Sequence, residues 1–519
     1  MDLSIVLNVH DEIEYITATM NSIKKSIDFA QAHGLTTEII VVIDNEQYGV
    51  GSKIKQFNFG ITKKILFVNN ASLGVSRNDG ILASTGRYIV LCDADDLISS
   101  NYLYEMFLVL EKHQSNGIDV IVCPQYVMTF ERSTQITMRF NSELLSSEDF
   151  VYTNPYGSRI AFRRQLLTKR MFRDLRKSSG YAFEDWDFNC FLYSIGLKFL
   201  VAPNTILFYR NRANSIMNQR DYVRMIPHNE LFVPETFVKL SCHDLKRKIT
   251  LLTNVNKKYY NNVINKNILM LIKEQIPFEP KLKALIFEKM LPITLKFSKY
   301  HWGYLLNKMF QLTGQVQYSS VCIVCGNEVQ IIEQIRESLR NQPNIGYMLI
   351  VNYEKQILNP DQLAKLMLEN RNIVFLNFHE LSSSLSDTTK KSTFLRFMMS
   401  ISAGKNSKCF VSNRLKVKLS SLDLGRYFTI AENIASFFQK ITVNQNITSN
   451  SEELHLIHKS RTIPISSMIN PGRLKVADDY LRNSLKNYLN YCPILYNLAR
   501  RVYVSLIRIQ CSLKKKSTN

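Results

Sequence analysis

Three short stretches carry side chains that could do chemistry together. The first, Leu91-Cys92-Asp93-Ala94-Asp95-Asp96, ends an apolar run in alternating carboxylates. Residues two apart in an extended chain share a face, so Asp93 and Asp95 could offer hard oxygens to one Mg²⁺ or Mn²⁺. A cation there would bridge a diphosphate and stabilise it as a leaving group. Solvated strand exits show the same spacing, and the motif alone leaves both readings open. The second stretch, Tyr181-Ala182-Phe183-Glu184-Asp185-Trp186-Asp187-Phe188, sets carboxylates among aromatic rings. Desolvation there could keep one of them basic enough to take a proton from a hydroxyl. It reads equally as the first turn of a helix, where acidic residues meet the positive end of the helix dipole. The third, Phe208-Tyr209-Arg210-Asn211-Arg212, is cationic and follows two apolar runs. Arg210 and Arg212 could face phosphates, although arginines near a basic loop are more often simply solvated.

The elements that must position these groups alternate. Leu3 to Val9 is an apolar strand candidate, and Ile16, Met20, Ile23 and Ile27 follow at helical spacing. Glu38 to Asp44 is a near-continuous apolar run ending in a carboxylate, as in a strand buried on both faces of a parallel sheet. Lys64 to Asn69 and Tyr88 to Cys92 give two more strands, with a helix over Val75 to Ser84 between them. This alternation predicts an α/β doubly wound sheet, in which ligands bind beyond the carboxyl ends of the strands. Those ends carry Asp44 and Asp93.

A chain of 519 residues exceeds one ordinary core, so more than one domain is expected. The stretch from about 244 to 317 reads as a helical connector. At Ser320 a second alternating pattern begins, and Ser320-Val321-Cys322-Ile323-Val324-Cys325-Gly326-Asn327-Glu328 echoes Ser4-Ile5-Val6-Leu7-Asn8-Val9-His10-Asp11-Glu12. Further on, Ser402-Ala403-Gly404-Lys405 and Cys409-Phe410-Val411 echo Ser84-Thr85-Gly86-Arg87 and Val90-Leu91-Cys92. A degenerate internal repeat accounts for this, as would generic patterning of two unrelated α/β domains. At the position of Asp93-Ala94-Asp95 the second copy has Ser412-Asn413-Arg414, without paired carboxylates.

The nine cysteines are mostly isolated in apolar runs, which suits a reducing cytoplasm, and the Cys322-x-x-Cys325 pair reads as buried strand residues rather than a metal or redox site. No apolar run reaches the roughly 18 residues of a spanning helix, and the opening run is only strand length, so neither a membrane span nor a signal peptide is expected. The formal charge of +21 calls for an anionic partner or surface. No nucleic-acid-binding signature accompanies it, so no nucleic-acid partner is expected. From about Pro471 a basic helical tail interleaves Arg482, Lys486, Arg500 and Arg501 with Leu485, Leu489, Leu495 and Leu498. Such a helix suits an anionic membrane surface, or packing on the protein with a solvated end.

Taken in order, Ser4 to Glu12, Asp44, Ser76-Arg77-Asn78, Asp93-Ala94-Asp95-Asp96, Glu184-Asp185-Trp186 and Tyr209-Arg210 resemble the family-2 glycosyltransferases of the GT-A fold, over about the first 230 residues. The resemblance implies a GT-A type (Rossmann-like) mixed sheet with flanking helices and a nucleotide-sugar donor, UDP-linked. It implies donor contacts from Glu12, Asp44, Arg77, Asn78, Asp93 and Arg210, and a Mg²⁺ or Mn²⁺ site at Asp93 and Asp95. Asp185 would be the general base for inverting transfer to a glycan or lipid-linked acceptor, with Glu184 orienting that acceptor. Asn8 and His10 stand where the family usually has Pro and Tyr, and Arg212 where a His often follows Tyr-Arg. The expected division is a catalytic domain over 1–240, a helical connector over 241–318, a degenerate GT-A-like α/β domain over 319–470 and the basic tail over 471–519. The expected location is the inner face of the plasma membrane. The second half would be a second transferase site of a polymerase, or a non-catalytic module that holds an acceptor, the membrane or a second copy of the chain in a homo-oligomer.

Overall fold

A computed structural model describes residues 1–46, 49–131, 135–151, 153–175, 183–212, 226–241, 266–275, 297–314, 320–324, 348–352, 366–368, 373–383, 393–394, 396–398, 400–401, 407–411 and 438–443. The chain divides into two compact units, Met1–Asn446 and Ile447–Asn519, and all described residues belong to the first. Ser412-Asn413-Arg414, Cys325 and the basic tail lie outside the described residues.

The opening strands are β1 (Leu3–Val9), β2 (Thr37–Asp44), β3 (Thr62–Val68) and β4 (Tyr88–Asp93), within a residue or two of their expected bounds. They lie parallel in the order β3-β2-β1-β4. Every residue of β1 and β2 is buried, as a strand covered on both faces requires. The edge strand β3 alternates in exposure instead. Beyond β4 the sheet turns mixed: β8 (Ala161–Arg163) runs antiparallel to β4, and β6 (Val120–Glu131) pairs with β8 on one side and with β9 (Lys198–Asn211) on the other. The short β5 (Leu97–Ile98) closes the far edge on β9, and β7 (Gln135–Met138) pairs off β6. This is the mixed α/β sheet that the resemblance implied, with the antiparallel turn that an all-parallel expectation lacks.

The period-2 alternation of the strands sorts two layers. Leu3, Ile5, Leu7, Ile39, Val41, Val90 and Cys92 pack with Ile16, Met20, Ile23 and Ile27 of α1 (Ile16–Ala32) and with α4 (Tyr102–Gln114). Val6, Ile40, Val42, Ile89 and Leu91 face the other layer, which holds α3 (Leu73–Leu82) and the aromatic residues of α5 (Glu184–Ser194). Asp44 and Asp93 continue the second set and therefore leave the sheet on the α3/α5 side. Gly80 lets α3 sit directly on the sheet, since a Cβ there would lie 2.4 Å from the Val6 side chain. Among the described residues, no helix is long and apolar enough to cross a membrane.

Two helices, Lys266–Gln275 and Phe297–Leu312, occupy the expected connector. Leu306, Met309 and Phe310 of the latter join the same apolar cluster as Trp186 and Phe237. A second sheet follows, built from β10 (Ser320–Val324), β11 (Met348–Asn352), β12 (Ile373–Asn377), β13 (Ser407–Val411) and β14 (Phe438–Val443). Its order is β12-β11-β10-β13-β14, all parallel, so its first four strands repeat the β3-β2-β1-β4 order of the first sheet. The registers agree as well: Leu7 pairs with Cys92, the residue before Asp93, and Ile323 pairs with Val411, the residue before Ser412. The correspondence stops at the fifth strand, which is antiparallel in the first sheet and parallel in the second.

At the end of the first sheet away from Asp93, Glu38 accepts hydrogen bonds from Ser4 Oγ (2.5 Å), Thr85 N (2.6 Å), Thr85 Oγ1 (2.8 Å) and Gly86 N (3.1 Å). Burial alone would raise this carboxyl, but those donors outweigh it and hold it below the ordinary 4.5. Removing it in Glu38→Ala orphans the Thr85 backbone N–H, while Gly86 N keeps Ser4 Oγ at 2.8 Å, a cost of about 1–3 kcal/mol in urea unfolding at neutral pH. The ionised form is the one the fold favours, so the contribution is present above the ordinary value and is lost as pH falls through the lower, folded one. The gap between wild type and Glu38→Ala should therefore narrow in acid.

Candidate active site

The carboxyl ends of β1, β2 and β4 bring Glu12, Asp44, Asp93 and Asp95 to one edge of the sheet, and α3 and α5 deliver basic and acidic partners from one side. The link between them is Arg77 of α3, whose side chain is 1% exposed. Its guanidinium contacts Glu184 Oε1 at 2.5 Å and Asp93 Oδ1 at 3.2 Å. Burial opposes its charge, but Asp93, Glu184 and Asp185 outweigh burial and raise its pKa. Gly74, at the start of α3, permits this approach: a Cβ there would meet the Arg173 carbonyl oxygen at 2.4 Å and Glu184 at 3.3 Å.

Asp93 has a second cation. Arg159 Nη2 lies 2.9 Å from its Oδ2, also contacts Asp96, and stacks over the Tyr209 ring at 5.3 Å. Burial pushes Asp93 up, yet Arg159 and Arg77 prevail and hold its carboxyl below the ordinary value. Arg159 went unnoticed in the sequence. It precedes β8, whose register (Tyr88 opposite Arg163, Val90 opposite Ala161) carries Ser158 to the level of Asp93, and Ser158 Oγ lies 3.5 Å from Asp93 Oδ2. Only an antiparallel β8 makes Ser158-Arg159 a neighbour of the β4 end. The available signal was a polar-basic pair just before an apolar triplet.

Asp185 sits in the first turn of α5, which Phe183 enters in a left-handed conformation (φ 70°) and in which Glu184, Asp185 and Asp187 supply the acidic turn. The segment is thus a helix start with an acidic first turn, as one of its two readings expected. Asp185 Oδ2 accepts from Asn154 Nδ2 at 3.0 Å, and Asn154 Oδ1 accepts from Asn189 Nδ2 at 2.9 Å. The helix is fixed beneath by Trp186, whose Nε1 donates to the Phe150 carbonyl at 2.9 Å. Asp187, fully buried, is held by Arg170 at 2.5 Å and by Asn229 Nδ2 at 2.7 Å.

The other expected donor contacts divide. Asp44 accepts from Asn70 N (2.8 Å), Ala71 N (3.1 Å), Ser72 N (3.3 Å), Ser76 Oγ (2.9 Å) and Asn45 Nδ2 (2.9 Å), so it braces the loop before α3. Asn78, expected at the nucleoside, exchanges two hydrogen bonds with the Phe172 backbone through its amide, at 2.9 and 3.0 Å. Arg210 donates from Nε to the Asp95 carbonyl at 2.8 Å and from its backbone N to Asp96 at 3.0 Å, pairs with Glu131, and lies 4.6 Å from the rings of Tyr15 and Phe130. It shapes the Asp95-Asp96 turn. Glu12 accepts from His10 N at 2.7 Å and pairs with Arg212 at 3.2 Å, while Arg212 Nε lies 3.0 Å from Asp95 Oδ2.

Among the described residues no group of three or more His, Cys, Asp or Glu converges as a ready cation cage. The charge balance nonetheless suits one. Six carboxyl groups, on Glu12, Asp93, Asp95, Asp96, Glu184 and Asp185, gather around Arg77, Arg159 and Arg212, while Arg210 is matched by Glu131. Burial pushes the Glu12, Asp95, Asp96 and Glu184 carboxyls up, Asp96 to about 7, so a cation that met them would favour their ionised form, and Asp93 and Asp95 have the hard oxygens a Mg²⁺ or Mn²⁺ prefers.

Arg77→Met should destabilise the fold by about 3–5 kcal/mol, because it strands Glu184 in a buried setting, while Asp93 keeps Arg159. Double substitution with Glu184→Gln should recover part of that loss in urea unfolding, since fewer unpaired charges remain. Equal losses in the single and double variants would deny the pairing any role.

The model of the family described as Glycosyl transferase family 2 matches residues 4–171. Glycosyltransferase GlyA of Streptococcus pneumoniae serotype 4 is 23% identical over 231 residues, which cover 41% of this chain and 31% of that protein. The match thus spans about a third of that relative's length. Among solved structures, S. aureus TarS 1–349 in complex with UDP-GlcNAc is 17% identical, with a TM-score of 0.35, over 61% of this chain and 93% of its own. S. aureus TarS is 15% identical at the same TM-score of 0.35, covering 55% of this chain and 50% of its own.

Proposed function

We propose, from the match of residues 4–171 to Glycosyl transferase family 2, that the protein moves a sugar with inversion from a nucleotide-sugar donor, UDP-linked, to a hydroxyl of a glycan or lipid-linked oligosaccharide. The product belongs to a cell-surface polysaccharide. The observation that carries this reading is the double contact of Arg77 with Asp93 and Glu184, which ties the strand that ends in Asp93-Ala94-Asp95 to the helix turn that bears Asp185.

In this mechanism the acceptor hydroxyl gives its proton to Asp185, its oxygen forms the new bond to the anomeric carbon, and the bond from that carbon to the donor phosphate breaks, its electron pair leaving with the nucleoside diphosphate. Attack from the Asp185 side opposite the departing diphosphate inverts the anomeric centre. Asn154 holds Asp185 Oδ2 by a neutral amide, and Oδ1 is the oxygen assigned to the proton. Glu184, locked to Arg77, positions the turn that presents Asp185 to the acceptor. Asp44, through the loop it braces, shapes the place for the base, and Arg77 and Arg159 fix the rotamer of Asp93. Mg²⁺ or Mn²⁺ held by Asp93 and Asp95 would neutralise the diphosphate as it leaves.

We further assign catalysis to residues 1–240, the linking helices to 241–318, and a non-catalytic α/β module for acceptor or assembly to 319–470. For the module, the supporting observation is that its sheet keeps the strand order of the first while its sequence has Ser412-Asn413-Arg414 where the first has carboxylates. The basic segment 471–519 would hold the enzyme to anionic lipid at the cytoplasmic face of the membrane.

Asp185→Asn should lower kcat by about 10²- to 10⁴-fold while the affinity for the nucleoside diphosphate stays within twofold of wild type. Nucleotide release from a panel of UDP-, GDP- and dTDP-sugars, followed with and without acceptor, measures this and identifies the donor. Undiminished turnover in the variant sinks the mechanism.

A further inference from the structure

Arg212 follows the last residue of β9 and spans two strand ends. Its Nη2 pairs with Glu12 Oε1 at 3.2 Å, beyond β1, and its Nε lies 3.0 Å from Asp95 Oδ2, beyond β4. The Tyr15 ring flanks the guanidinium at 5.4 Å. Its side chain is 19% exposed, against 1% for Arg77. Fixed cations therefore already sit on both carboxylates assigned to the divalent ion, and Arg212, on Asp95, is the most exposed of them.

The two carboxylates differ in what their release would cost. Asp93 is bound by two arginines, one of them almost wholly buried, and its withdrawal would leave Arg77 poorly matched. Asp95 can be given up with less penalty, because Arg212 retains Glu12 when it lets Asp95 go. A divalent ion approaching Asp95 must displace the guanidinium, since the two cations repel at that range. A guanidinium so displaced, still anchored near the strand ends, presents its fork of N–H donors to a diphosphate bridged by the same ion.

We propose that Arg212 is an exchangeable counter-ion: it blocks the divalent cation from Asp95 until donor binding draws the guanidinium onto the diphosphate. Cation and nucleotide then bind as a coupled pair, each raising the affinity for the other, and Arg212 carries part of that coupling. This rests on the proposed glycosyltransferase reading and on the assignment of Asp95 as a cation ligand, and it adds a gate that excludes unproductive loading of the cation alone.

The test uses the full chain and Mn²⁺ as the probe, its binding followed by electron paramagnetic resonance with and without saturating UDP, and UDP binding followed by calorimetry with and without Mn²⁺. Two variants are compared: Arg212→Gln, which removes the charge, and Arg212→Lys, which keeps it but cannot span Glu12 and Asp95. Mn²⁺ alone should bind about tenfold more tightly to Arg212→Gln than to wild type, and Arg212→Lys should fall between them. In saturating Mn²⁺, UDP should bind Arg212→Gln about tenfold more weakly, so that the coupling between the two ligands shrinks. Unchanged or weaker Mn²⁺ binding by both variants in the absence of UDP overturns the proposal. A wild type that binds UDP and loses turnover on Asp185→Asn, yet never binds Mn²⁺, overturns this inference and leaves the glycosyltransferase reading standing. Failure of UDP, GDP and dTDP to bind under any condition removes both.

Discussion

A guanidinium with almost no exposed surface stays charged inside a protein only where carboxylates meet it, and the site is organised around that requirement at Arg77. Its two partners come from separate parts of the domain's sequence, Asp93 from the fourth strand and Glu184 from the first turn of α5. Neither carboxylate can drift without leaving a buried cation unmatched, so the separation between the strand end and the helix turn is fixed by electrostatics more firmly than by loop packing. Asp185 inherits its place from this arrangement, being the next residue along the same turn. Trp186 and Asp187 then pin the helix from below through Phe150, Arg170 and Asn229.

Backbone close approach makes the pairing feasible. With side chains larger than hydrogen at positions 80 and 74, α3 would be lifted off the sheet at Val6 and pushed from the segment that carries Arg173. Arg77 would then lose its reach to one of its partners. The alternation of the strands completes the arrangement, because the set that faces α3 and α5 in β2 and β4 ends in Asp44 and Asp93. Apolar packing and the chemistry of the strand ends follow from the same two-residue period.

Much of this was legible in the sequence because it is local. Strand-long apolar runs, helical spacing in Ile16, Met20, Ile23 and Ile27, and carboxylates at strand ends all depend on neighbours within a few residues, and the structure places those elements within a residue or two of their expected bounds. What was not legible depends on partners far apart in the chain. Arg159 and Ser158 become neighbours of Asp93 only because β8 runs antiparallel to β4. Asn78 looks like a ligand residue in its Ser-Arg-Asn triplet, yet its amide is consumed by the Phe172 backbone, 94 residues away. Three of the five hydrogen bonds of Asp44 likewise come from the backbone of the Asn70-Ala71-Ser72 loop, whose path the sequence does not reveal. Residue type marked the positions, and long-range pairing decided their roles.

The second sheet separates the frame from the chemistry. Its first four strands repeat the order and direction of the first sheet, and β10 and β13 repeat the register of β1 and β4, a strand order that doubly wound sheets share. What it lacks lies at one edge. In the first sheet the strand after β4 is antiparallel, and an antiparallel neighbour brings the start of its own strand, with Ser158 and Arg159 just before it, back to the carboxyl end of β4. In the second, β14 is parallel to β13 and presents its last residues at that edge instead. Among the described residues, no strand antiparallel to β13 returns a chain segment to that end.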